Sequence, residues 1–158
     1  MRTSQREVRD FDKIMDIVAR CDTVRVGFFD EEYPYIVPLT FGYEVSDGKL
    51  LLYVHGAKEG LRHELAAKNP KVCVEADIFN GYAKMRFGIT TEYESVIGFG
   101  EIELAGHSDS VKGLDLMMEH CGVSGYSAEQ CMSLGITSVY KITVGGDKLT
   151  GKIRTKDN

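Results

Sequence analysis

Two periods of hydrophobic and polar residues divide this chain. Residues 10–20, DFDKIMDIVAR, set Phe11, Ile14, Ile17 and Val18 at helical spacing behind Asp10, whose short carboxylate suits a helix cap. Residues 23–29 switch to alternation, with Val24, Val26 and Phe28 on one face, and predict a strand. Asp30-Glu31-Glu32-Tyr33 is a polar turn, and 35–43 resumes as a strand rich in β-branched and aromatic residues. Pro38 interrupts it; a residue that cannot donate to a ladder belongs at a sheet edge or a bulge. Ser46-Asp47-Gly48-Lys49 predicts a tight hairpin turn, and 49–55 returns as the next strand.

A helix follows over 57–68 and stops at Asn69-Pro70. Residues 71–77 predict another strand, whereas 79–91, with Gly81, Gly88, Lys84 and Arg86, read as irregular. The strand pattern of 93–104 is broken by Gly98 and Gly100, as at a barrel corner. A helix is predicted over 108–121, capped by Ser108, with Val111, Leu114 and Met118 on one face. Residues 122–137 are mixed, and 138–144 and 148–153 predict a hairpin around Gly145-Gly146-Asp147. Six to seven strands with helices at only a few points disfavour a doubly wound parallel sheet. The expected architecture is mostly β, an antiparallel barrel with accessory helices, spanning 1–158 as a single domain.

Composition narrows the function. With 43% hydrophobic and 27% charged residues the chain is globular rather than disordered. A formal net charge of −5 argues against a general nucleic-acid binder. No apolar run is long enough to span a bilayer, and the charged start MRTSQREVRDFDK lacks the apolar core of a signal peptide, so a cytoplasmic protein is expected. Cys21, Cys73, Cys121 and Cys131 form no CxxC pair, and with His107 and His120 they match no zinc spacing. No metal is expected. Reduced structural thiols are the reading, with Cys73 buried in a strand.

The chemistry concentrates at 51–70, LLYVHGAKEGLRHELAAKNP. A strand that ends at His55-Gly56-Ala57 and delivers the chain into a helix start offers unpaired backbone N–H groups and a positive dipole end. Lys58 and Arg62, four residues apart, add two cations to one helix face, an arrangement suited to a phosphate. The alternative is a solvated helix in which Arg62 pairs back to Glu59, while Glu59–His63 and Glu64–Lys68 pair along the helix. His55 can meet a ligand or simply a backbone carbonyl, and Thr40 and Ser95 can satisfy local backbone. No P-loop, HExxH, Ser-His-Asp order or dinucleotide glycine motif is present.

The run YPYIVPLTFGYE, followed by a DG turn, LLYVHGAKEGLRHEL, NPKVCVE and YESVIGFGEIE, resembles the pyridoxamine-phosphate-oxidase-like flavoproteins, and within them the nitroimidazole-resistance branch. The likeness covers roughly 5–120 and weakens after Cys121. It implies an FMN-binding split β-barrel that works as a homodimer, with FMN in the groove between subunits. It implies that the flavin phosphate meets Lys58, Arg62, the N–H groups around Gly60 and the edge of His55. Val37, Pro38, Leu39 and Thr40 would then lie along the isoalloxazine, with Tyr53 and Val54 lining the same groove. Ser95, Val96 and Ile97 would reach the cofactor from the partner subunit. In that branch a histidine near the cofactor is linked to activity, and His55 occupies the matching position as the candidate catalytic residue.

The activity so implied is FMN-dependent reduction of a small nitro compound, such as a 5-nitroimidazole, or a related electrophile. The basic phosphate set and substrate residues of vitamin-salvaging oxidases are not found here, which puts pyridoxamine phosphate oxidation itself in doubt. A non-enzymatic flavin- or haem-binding protein on the same fold is the alternative. Fold alone does not separate the two.

Overall fold

The computed structural model describes residues 4–125, 127–130 and 136–157. Cys131 and part of the mixed segment 122–137 lie outside them. A short strand β1 (Glu7–Val8) precedes helix α1 (Phe11–Arg20), which is followed by β2 (Val24–Phe28), β3 (Tyr35–Leu39), β4 (Gly42–Ser46) and β5 (Lys49–Ala57). Helix α2 (Leu61–Lys68), the long strands β6 (Lys71–Met85) and β7 (Gly88–Leu104), helix α3 (His107–His120) and β8 (Thr137–Arg154) complete the order.

All strand pairings are antiparallel. The sheet runs β3-β2-β6-β7-β8-β5-β4, with β1 added against β8. β3 and β4 end the path without pairing each other, so the barrel is split, as expected.

Several elements follow directly from local chemistry. Asp10 caps α1, its Oδ1 accepting the Lys13 N–H at 3.2 Å, and Ile14, Ile17 and Val18 are buried against the sheet. Asp47 and Gly48 both take positive φ, 51° and 69°, and close the β4–β5 hairpin at Ser46↔Lys49. Pro38 sits on the edge strand β3, opposite Arg25.

Other elements depart from the local pattern. Among the described residues there are eight strands, not six to seven: 35–43 splits at Thr40-Phe41 into β3 and β4, β1 is added, and 138–153 is one strand. No hairpin forms at 145–147, because both halves of β8 pair with the one strand β7, through Gly98↔Leu149 and then Gly100↔Val144. The resulting bulge falls at the predicted Gly98/Gly100 break.

Residues 79–85 continue β6 and 88–91 open β7, joined by a turn at Arg86-Phe87, with a register shift between Phe79 and Gly81 that hides the alternation. Helix α2 begins at Leu61 rather than 57, because β5 keeps pairing with β8 as far as Ala57↔Thr137. Gly106, not Ser108, stands at the start of α3; of the expected face Leu114 is buried and Val111 packs beside it, while Met117 and Gly113 take the buried position expected of Met118.

One core fills the space between α1 and the sheet, around Val26, Phe41, Val54 and Ile142. A second, smaller one under α3 holds Tyr53, Leu114, Ala128 and Val139. α3 can approach β5 because Gly113 has no side chain: a Cβ there would stand 2.5 Å from the Tyr53 ring. The Tyr53 hydroxyl donates to Glu44 Oε1 at 2.8 Å. Burial favours the neutral acid for Glu44, but hydrogen bonds from Lys112 and Tyr53 outweigh it and hold its pKa low. Cys21, Cys73 and Cys121 are free thiols, and burial pushes the Cys21 pKa up to about 11. Cys73 is half-buried on the outer face rather than buried in the core.

Candidate functional site

Alternation along β5 sends successive side chains to opposite sides of the sheet. Tyr53 and His55 turn toward α3; Val54 turns into the main core. His55 Nδ1 lies 3.1 Å from the Met117 sulfur. The Thr40 hydroxyl reaches the same sulfur at 4.0 Å. Two residues singled out in the sequence thus converge on a methionine that sequence reasoning missed.

A thioether accepts but does not donate, so the Nδ1 hydrogen belongs to this contact. Nε2 of the neutral ring is then an acceptor. Burial, and after it the positive charge of Arg62, lowers the His55 pKa below the ordinary histidine value. The imidazole is therefore held neutral, in one tautomer.

Past Ala57 the chain turns through 58–60 before the helix starts. Gly60 has φ 108°, a conformation closed to side-chain-bearing residues, and gives α2 no side-chain cap. His63 N at 2.9 Å and Glu64 N at 3.2 Å both donate to Gly60 O, which leaves the Leu61 and Arg62 N–H groups at an uncapped end. A Cβ on Gly60 would meet nothing within 4 Å, so this end opens onto free space. Lys58 stands exposed in the 58–60 bend, so the pair with Arg62 flanks the helix start and does not share a helix face.

Arg62 folds back onto the strand. Its Nη1 donates to the His55 carbonyl at 3.3 Å, and its guanidinium carbon lies 5.7 Å from the Tyr140 ring centroid. It occupies the space a side chain at 56 would need, since a Cβ on Gly56 would fall 1.6 Å from Nη2. The expected local charge pairs do not form. His63 Nδ1 instead meets the Tyr140 hydroxyl at 2.5 Å, and Lys68 reaches Glu31. Among the described residues no carboxylate pairs with Arg62. A half-buried guanidinium without a counter-charge, beside uncapped helical N–H groups, fits a phosphate.

The other predicted positions are placed as follows. Val37 and Leu39 are half-buried on β3, and Pro38 is exposed on the same edge strand. Tyr53 and Val54 are 1% and 0% exposed and present no side chain to a surface groove. Ser95, Val96 and Ile97 lie on β7, paired with Asp77, Ala76 and Glu75, away from the β5–α2 corner in the chain order of the sheet. Val96 is in the core and Ile97 is on the outer face. Met117, His63 and Tyr140 join the corner only through tertiary contacts; Tyr140 carried no signal beyond a strand position.

A second feature lies on the outer face of β2, β3, β6 and β7. It is a groove of about 870 Å³ whose lining includes Phe29, Tyr33, Ile36, Cys73 and Phe99. Arg25 crosses its floor, paired with Glu75 at 3.0 Å and with Asp77 at 2.5 Å.

Residues 10–152 match the family described as pyridoxamine 5'-phosphate oxidase. This chain belongs to the pyridoxamine 5'-phosphate oxidase family. Its fold is shared with a candidate 5-nitroimidazole antibiotic resistance protein from Bacteroides thetaiotaomicron. That likeness has 27% identity, 93% coverage of this chain, 86% of the other and a TM-score of 0.76. A FAD- and haem-binding protein from Mycobacterium smegmatis shares the fold at 17% identity and TM-score 0.74, covering 94% of this chain and 73% of the other. The flavocytochrome Anf3 of Azotobacter vinelandii does so at 16% identity and TM-score 0.75, with 98% and 72% coverage. No curated protein gives a significant match. Within this pyridoxamine 5'-phosphate oxidase relative, none of the helices among the described residues is long and apolar enough to cross a membrane.

Proposed function

We propose that this protein is a cytoplasmic FMN-dependent oxidoreductase that reduces a small nitro compound, or a related electrophile, as a homodimer with flavin between the subunits. The observation that carries the reading is Arg62, a guanidinium with no carboxylate partner among the described residues, held at the uncapped start of α2. Family membership and the 27% identity to a candidate nitroimidazole resistance protein support it.

Arg62, the N–H groups after Gly60 and Lys58 would hold the flavin phosphate. Val37 to Thr40 would run along the ring system, with Tyr53 and Val54 offering only backbone, and Ser95 to Ile97 would come from the partner subunit. The flavin supplies the electrons. His55 supplies a fixed acceptor at Nε2 near neutral pH. It becomes a donor there only when protonated, which its lowered pKa confines to acid conditions. The second reading, a flavin or haem carrier without turnover, draws on the FAD, haem and flavocytochrome descriptions of two proteins that share the fold.

The test is absorbance. Protein incubated with FMN and passed through gel filtration should keep a flavin spectrum, and Arg62→Ala with Lys58→Ala should lose it while staying folded. Wild-type protein that emerges colourless would end the proposal. Reductant consumption that depends on an added nitroimidazole separates the enzyme from the carrier, and full turnover in His55→Ala with FMN bound would remove His55 from the chemistry.

A further inference from the structure

The β6–β7 hairpin projects an apolar, basic tip. Tyr82, Phe87 and Ile89 are 74%, 89% and 73% exposed. Lys84 and Arg86 stand among them, and the Arg86 guanidinium lies 5.0 Å from the Phe87 ring centroid. Side chains of this kind are normally covered.

Pairing places the tip and the groove on one stripe. Residues opposite each other in an antiparallel ladder share a face. Cys73 faces Phe99, Glu75 faces Ile97, Asp77 faces Ser95 and Phe79 faces Tyr93. The register shift after Phe79 absorbs one residue, so Tyr82 opposite Thr91 and Lys84 opposite Ile89 stay on that face. Phe79 and Tyr82 confirm this by ring contact, 5.2 Å between centroids. The stripe therefore begins in the groove at Cys73 and Phe99 and ends at the tip, about 40 Å away at strand rise.

Its two ends are complementary. The groove wall is the loop 29–33, in which Asp30 and Glu32 line the groove between the exposed aromatics Phe29 and Tyr33, while Glu31 is turned to Lys68. The cations of the groove, Arg25, Lys71 and Lys148, belong to the strands, and Arg25 is already neutralised by Glu75 and Asp77. A two-fold axis through the middle of the stripe brings each tip onto the other copy's groove. Six exposed aromatic residues take part: Phe29, Tyr33, Phe79, Tyr82, Phe87 and Phe99. A fully buried ring covers roughly 150–250 Å², so the exposed parts of six such rings are of the order of the ~800 Å² per partner that a stable interface needs.

The geometry points to an exchange of arms between two copies of this chain, in which the β6–β7 tip of one seats against the 29–34 wall of the other. This rests on the homodimer proposed above and names the surface that makes it.

Sedimentation velocity across a dilution series tests it. Lys84→Glu with Arg86→Glu should raise the dimer dissociation constant at least about tenfold by setting acid against acid. Adding Asp30→Lys and Glu32→Lys, the two acids that line the groove, to the same chain should restore dimerisation. A short bis-maleimide should link Phe87→Cys to Cys73 of a second copy, and Cys73→Ser should abolish that product. Wild-type protein that stays monomeric would overturn the dimer itself and leave the groove to a different partner. A wild-type dimer that the charge reversals leave intact, with no link between 87 and 73, would overturn the arm exchange alone.

Discussion

The β5–α2 corner and the outer stripe of β6–β7 both gather unusual residues, but one is built into the core and the other stands clear of it. At the corner three side chains are fixed by other elements: His55 by Met117 of α3, Arg62 by Gly56 and Tyr140, His63 by Tyr140. On the stripe Phe87 and Ile89 have almost no cover in the chain. Site precision at the corner is thus tied to folding stability, whereas the stripe is free to serve association. Substitutions separate these two behaviours.

The largest effect is expected where α3 touches β4. A Cβ on Gly42 would lie 2.4 Å from the Met117 nitrogen and 2.7 Å from the Leu116 carbonyl carbon, both backbone atoms that cannot step aside. Gly42→Ala should cost about 3 kcal/mol in urea unfolding and move Met117 away from His55. Retained stability with an unshifted His55 NMR resonance would detach the corner from the core. Tyr53→Phe, which strips a hydrogen bond from the charged Glu44, should cost about 2 kcal/mol and leave a dimer as tight as wild type.

A smaller effect concerns pH. Because the folded pKa of His55 is lowered, the unfolded chain takes up that proton first. The folded state is then penalised as pH falls through about 6.5, the ordinary histidine value, until the folded pKa is passed. Wild type should therefore lose stability between pH 7 and pH 5 relative to His55→Asn, and parallel pH profiles would show that the ring is not held neutral. Smallest of all, Phe87→Ser should change the unfolding free energy of the monomer, measured at concentrations below the dimer dissociation constant, by no more than about 0.5 kcal/mol. A larger loss would mean that the tip is packed within its own chain.

The ingredients of the corner were legible in the sequence: a strand ending at His55-Gly56, Gly60, and Arg62 after it. The arrangement was not. The sequence offered Arg62 to Glu59, three residues back, and His63 to Glu59, four residues back, on a helix assumed to begin at 57. Strand pairing as far as Ala57↔Thr137 moved that start to Leu61 and sent both side chains to Tyr140 instead. The arm was missed for a related reason. A single bulged residue after Phe79 resets the alternation, so a local pattern reads as irregular what β7 holds in register to Met85↔Gly88.

The sequence by itself determined the elements whose signals lie within a few residues: the Asp10-capped helix, the Asp47-Gly48 turn, the edge position of Pro38 and the break at Gly98-Gly100. It also carried the motifs that mark the family. Only the tertiary structure decided that both halves of β8 share one partner, that Thr40 and His55 meet at one sulfur, and that groove and tip lie on one face. Those contacts join residues 62 and 77 positions apart, His55 with Met117 and His63 with Tyr140. Local periodicity reports only what a side chain does beside its neighbours in sequence, whereas sheet register and helix docking choose its neighbours in space.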